Sequence, residues 1–129
     1  MNHYSLKYIS QKSVTQFIND LGNKVQEIGF EVMIDLNLSE KYKNALKIEF
    51  DDYRILGLCN PKLSHEIITQ EKGAGLFLPC KIVVYKDQDT TKIEFQRPTY
   101  MSDFFYSKHI ESVTERVEEL LDSAIKSVV

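Results

Sequence analysis

Tyr53-Arg54-Ile55-Leu56-Gly57-Leu58-Cys59-Asn60-Pro61 is the stretch on which the fold turns. From Tyr53 to Cys59 it is apolar on both faces except at Arg54, the pattern of a strand with neighbours on either side rather than at a sheet edge. Asn60-Pro61 closes that strand. Asn is a favoured helix N-cap, and Pro is preorganised for the first helical position, so a helix is predicted from Pro61 to about Gln70 with Leu63, Ile67 and Ile68 facing inward.

Upstream, residues 3–9 alternate, with Tyr4, Leu6 and Tyr8 on one face, and read as a half-buried strand. Val14, Phe17, Ile18, Leu21, Val25 and Ile28 form a helical stripe. Ser13 precedes it with Gln16 three residues on, as in a capping box, and Gly29 is the natural stop. Residues 30–37 alternate again as a second strand, and Ser39 is placed to cap a short helix through about Leu46. Asp51-Asp52 reads as a turn.

Downstream, Gly73-Ala74-Gly75 reads as a helix stop and turn. Strands are predicted over about 80–86 and 91–97, joined by a hairpin turn at 87–90 and ended by Pro98. Ile110, Val113, Val117, Leu120, Leu121, Ala124, Ile125 and Val128 mark a long amphipathic helix after about Ser107. No repeat or linker interrupts residues 1–129, so one domain is expected. The element order predicts an α+β two-layer sandwich, with about five mainly antiparallel strands and helices packed mostly on one face.

At 129 residues the chain is long enough to bury a core without metal or disulfide staples. Sixteen Lys and Arg against 19 Asp and Glu give a formal charge of −3, and the lysines are scattered. A phosphate-gripping surface carries a basic stripe, so nucleic acid is not an expected partner. Met1 to Ser5 lack the basic and apolar regions of a signal peptide, and no apolar run approaches ~20 residues. A cytoplasmic address without membrane contact is therefore expected, with Cys59 and Cys80 as thiols rather than a structural disulfide.

The 53–61 stretch, taken with Leu78-Pro79-Cys80-Lys81-Ile82-Val83-Val84-Tyr85, resembles the domain of unknown function 302 family over about Gly29 to Pro98. The resemblance implies a compact mixed α/β domain, often dimeric, and brings no activity, cofactor or catalytic residue with it. Many members have Phe-Gly-Asn-Pro and Leu-Pro-Leu where this chain has Leu58-Cys59-Asn60-Pro61 and Leu78-Pro79-Cys80. By that comparison neither thiol is required by the fold. Many also carry a His after the acidic residue matching Asp35, where this chain has Leu36.

Candidate chemistry centres on Cys59, which ends a strand just before a helix N-cap. The free N–H groups and dipole of that helix, with Lys62 nearby, favour a thiolate. The plainer reading is a small buried hydrophobe. Cys80 joins it as a resolving thiol or second soft-metal ligand only if the two strands are antiparallel neighbours. His65, four residues past Pro61, is a weak third candidate that is more simply a solvated helix residue. Cys59, Asn60, Pro61, Cys80 and His65 thus make up the candidate ligand-binding or reactive set.

No zinc spacing, phosphate loop or Gly-x-Ser-x-Gly elbow is present. Glu49 and Glu94 lie too far apart in the chain to be read as an acid/base pair. Tyr100, Met101, Phe104, Phe105 and Tyr106 read as core, or, if exposed, as a dimer contact or pocket wall. Two functions follow as expectations: a non-catalytic ligand-binding or interaction module, homodimeric, with no cofactor identified; or a thiol-dependent redox or soft-metal protein using Cys59 and Cys80.

Overall fold

The computed structural model describes residues 3–129. Its frame is a five-stranded antiparallel sheet in the order β1-β5-β4-β3-β2, with β1 at Ser5–Ser10, β2 at Glu31–Asn37, β3 at Tyr53–Cys59, β4 at Cys80–Asp87 and β5 at Thr90–Gln96. The helices are α1 (Val14–Gln26), α2 (Leu38–Leu46), α3 (Pro61–Gln70), α4 (Pro98–Ser102) and α5 (Lys108–Val128). This is the expected α+β sandwich, and β3 lies interior to the sheet between β4 and β2.

Register sorts the strand side chains into two faces. Leu6, Tyr8 and Ser10 oppose Phe95, Ile93 and Thr91, while Ile82 opposes both Phe95 and Leu56. These positions face the helices. Phe17, Leu21 and Val25 of α1 and Ile110, Val117, Leu121 and Ile125 of α5 complete the core with Leu63 and Ile67 of α3. The 3.6-residue spacing of those apolar positions is what turns one stripe of each helix onto the sheet.

On the opposite face no large apolar side chain of the described residues is buried. Tyr53 and Tyr85 stack there with ring centroids 5.4 Å apart, and Ile55 lies between Leu36 and Val83. Toward β5 the same face turns polar, with Lys92 and Glu94, and the Tyr85 hydroxyl donates to Glu94 Oε2 at 2.7 Å. The two-sided apolar pattern of β3 therefore does not mean two covered faces. One of its faces is core, and the other belongs to an open sheet surface.

Several local expectations are corrected. Strand β1 starts at Ser5, and Tyr4 is exposed. Helix α1 ends at Gln26, with Ser13 accepting from the Gln16 N–H as expected. Asn37, not Ser39, caps α2: its Oδ1 accepts from the Glu40 N–H, and the Ser39 hydroxyl donates to the same oxygen at 2.6 Å. An amide side chain at the strand end reaches the helix N–H groups first, which leaves the serine inside the first turn.

Residues Lys72–Phe77 wind into a 3-10 helix with Ala74 buried, so Gly73-Ala74-Gly75 is packed rather than a free turn. Helix α4, a five-residue turn starting at Pro98, is absent from the sequence reading because it is too short to show periodicity.

Candidate functional site

The chain's two proline motifs meet at one end of the sheet. Strand β3 runs antiparallel to β4 with Leu58 opposite Cys80, so Cys59-Asn60-Pro61 leaves the sheet where Leu78-Pro79-Cys80 enters it. Asn60 Oδ1 accepts from the Leu63 N–H at 3.1 Å and starts α3, with Pro61 at its first turn as predicted. The Leu78–Pro79 peptide is cis.

Between this strand end and helices α3, α4 and α5 lies a narrow cleft of about 40 Å³. Leu58, Leu63, Ile67, Met101 and Val117 make its apolar interior, and Phe77 and Tyr100 also line it. Cys59, Asn60, Ser64, Cys80, Gln96 and Arg97 are among its polar lining residues. A water needs roughly 10–15 Å³ by the same measure, so the free space suits an aliphatic group or a few waters rather than a large planar ligand.

The arginine is not free to receive an anion unaided. Its Nη2 and Nε lie 3.1 and 3.2 Å from Glu118 Oε2 on α5, while Glu118 Oε1 accepts from the Thr99 hydroxyl at 2.7 Å. This network ties the start of α4 to the long helix and fixes one wall of the cleft. Nothing in the sequence pattern marked Arg97 or Glu118, because their partnership spans the loop between two helices.

Beside Phe77 and Tyr100 the surface stays apolar. Phe104 stacks on Phe77 at 5.3 Å and meets Tyr100 edge-on at 5.6 Å; Phe104 itself is exposed, as are Leu76 and Tyr106. The Tyr100–Tyr106 stretch therefore splits between roles. Met101 is core, Tyr100 lines the cleft, and Phe104 and Tyr106 face water.

The thiols do not form the pair that meeting strand ends had suggested. Both are free, and Cys59 stands one residue beyond the Leu58–Cys80 pairing, so the register does not set the two thiols opposite each other although both line the cleft. Cys59 Sγ lies 3.5 Å from Ser64 Oγ. Burial pushes the Cys80 thiol up to about 12, so it stays protonated at neutral pH.

His65 is exposed on α3 and lines no part of the cleft; its carbonyl accepts from the Thr69 hydroxyl. Pro61 is likewise exposed. Among the described residues no cluster of three or more His, Cys, Asp or Glu is arranged to hold a metal ion. Among the same residues no helix is long and apolar enough to cross a membrane.

The profile of the family described as "Domain of unknown function DUF302" matches residues 6–128. The chain belongs to this family. The DUF302 match covers both motifs that meet at the cleft. The fold is similar to that in the crystal structure of an uncharacterized conserved DUF302 protein from Bacillus stearothermophilus, with a TM-score of 0.91 and 23% identity over 99% of this chain and 100% of the other. No curated protein matches the chain.

Proposed function

We propose that this DUF302 domain is a non-catalytic, cytoplasmic binding module that takes an aliphatic group of a small molecule into the cleft between β3, α3, α4 and α5, and that it works as a homodimer. The observation that carries the reading is the lining itself. An apolar slot opens beside an exposed aromatic surface, with a few polar atoms at the strand ends. Sites with this distribution bind through desolvation of an apolar group and orient it with few polar contacts.

The thiol alternative draws no support from the same lining, because Cys80 is held as a neutral thiol and Cys59 is not paired with it. A neutral thiol is a weak nucleophile and a poor metal ligand.

The test is titration with linear alcohols from butanol to octanol, followed by methyl NMR. Saturable shifts confined to Met101, Leu63, Ile67 and Val117 are expected, strengthening with chain length. They should vanish in Cys59→Phe, whose ring would fill the slot. Shifts that do not saturate, or that survive Cys59→Phe unchanged, would remove the cleft as a binding site. Native mass spectrometry of protein from its source would then identify a retained ligand.

A further inference from the structure

We infer that a second copy of this chain docks on the apolar half of the open sheet face, and that the arm formed by α2 and residues 47–50 is what holds it there. This rests on the homodimeric part of the reading above and is independent of the cleft.

The arm is apolar where a solvated segment would not be. Leu46, Ile48 and Phe50 are each about half exposed, and α2 buries none of its residues. A nine-residue helix is below the ~12–15 residues that hold in water without a packing surface. Its own chain gives it little such surface: Tyr42 meets Phe50 edge-on at 5.3 Å, and Phe50 leans on Tyr53 at 6.4 Å.

The sheet beside the arm shows the same property. On edge strand β2, Met33, Ile34 and Leu36 are between 37% and 59% exposed. A register shift between Val32 and Ile34 interrupts the pairing with β3 there. Leu36 continues through Ile55 to Val83 across the face, and Tyr53 continues to Tyr85. Six large apolar side chains, each roughly half exposed, make a patch on the order of 500 Å², at the upper end for monomers and most of the ~800 Å² that one partner brings to a standard interface.

Commitment to a second copy follows from the location of both halves on one chain. A two-fold contact is self-complementary, so a projecting apolar arm next to an apolar face closes when each copy lays its arm across the other's face. The arm carries both signs of charge, with Lys41, Lys43 and Lys47 beside Glu40 and Glu49, so two identical arms need not repel.

The experiment is light scattering coupled to size exclusion at about 20 µM, with circular dichroism as the folding control. The wild type should run at twice 15.0 kDa. The double variant Leu46→Glu/Phe50→Glu should fall to the single-chain mass with an unchanged spectrum. Leu36→Lys, on the face rather than the arm, should do the same and serves if the double variant unfolds. Tyr106→Ser, on the separate aromatic surface near the cleft, should remain dimeric. A monomeric wild type overturns both this inference and the homodimer. A dimer that survives the arm and face substitutions but dissociates in Tyr106→Ser overturns this inference alone.

Discussion

Pro79 lies against the backbone of Gly57: a Cβ built at position 57 would come within 2.6 Å of Pro79 Cγ and 3.2 Å of Ile34 Cβ. The proline that enters β4 thus packs over Gly57 near the end of β3, and only the absence of a side chain there lets the two segments close. Gly57→Ala should destabilise the protein by about 1–3 kcal/mol, the usual result of forcing a methyl group into filled space. Gly22, in the middle of α1, has nothing within 4 Å of a built Cβ, and Gly22→Ala should stabilise by about 0.5–1 kcal/mol through helix propensity. Urea denaturation of the two variants checks both signs; an unaffected Gly57→Ala would mean that Pro79 moves away freely.

Asn60 holds the same end of the sheet from the other side. It caps α3 and lines the cleft, and its amide also approaches Gly29, whose φ of +86° excludes most other residues. Asn60→Ala should cost about 1 kcal/mol, the usual loss of a cap, while Asn60→Asp should keep most of it because a carboxylate accepts the same N–H. Equal losses for the two, measured by thermal unfolding, would show that the contact near Gly29 matters more than the cap.

That the cap at Asn60 and the strand at 53–59 were legible in the sequence has a simple cause. Both depend on neighbours within four residues, which is the range over which backbone chemistry acts directly. The faces were less legible. Ile34 and Leu36 alternate like half-buried residues, yet they lie on an edge strand with an open face, and alternation alone does not say which side the helices cover. Whether the thiols meet stays open in the sequence for a related reason. Antiparallel pairing of the two strands was weighed correctly, but the register, which sets Leu58 rather than Cys59 opposite Cys80, is fixed by contacts far apart in the chain. The Arg97–Glu118–Thr99 wall of the cleft left no local trace at all.

Tyr8 and Asp122 join the sheet edge to α5 by a 2.7 Å hydrogen bond, with the phenol donating. Burial, the hydrogen bond and the carboxylate charge together raise the Tyr8 pKa. Burial alone would raise Asp122, but the bonds from Tyr8 and Lys126 outweigh it and hold the carboxyl below its ordinary range. The signs are therefore opposite. The Asp122 contribution to stability is present above the unfolded carboxyl value of about 4 and is lost as pH falls through its lower folded value; the Tyr8 contribution is present below about 10 and is lost as pH rises beyond it. Tyr8→Phe should cost about 1–3 kcal/mol at pH 7 and flatten the decline at both extremes. Denaturation midpoints from pH 2 to 11 would reveal it, and parallel curves for the two proteins would argue against the pairing.

Cys80 gives the clearest separation between packing and chemistry, because its environment makes a prediction in the direction opposite to a reactive site. Burial raises its pKa to about 12, so the folded state binds the thiol proton more tightly than the unfolded chain, whose thiol titrates near 8.5. The linked stability is complete below about pH 8.5 and declines as the pH rises toward 12. The same shift removes the nucleophile, since alkylation proceeds through the thiolate. Iodoacetamide at pH 8 should leave Cys80 unmodified in the folded protein and label it fully in denaturant, as read by peptide mass spectrometry. Cys80→Ala should remain folded and lose the part of the alkaline decline that begins near pH 8.5, keeping the part above about pH 10 that Tyr8 contributes. Rapid labelling of native Cys80 at pH 8 would show an accessible thiolate and reopen the thiol reading, and labelling that appears only in step with unfolding would fix Cys80 as part of the cleft wall.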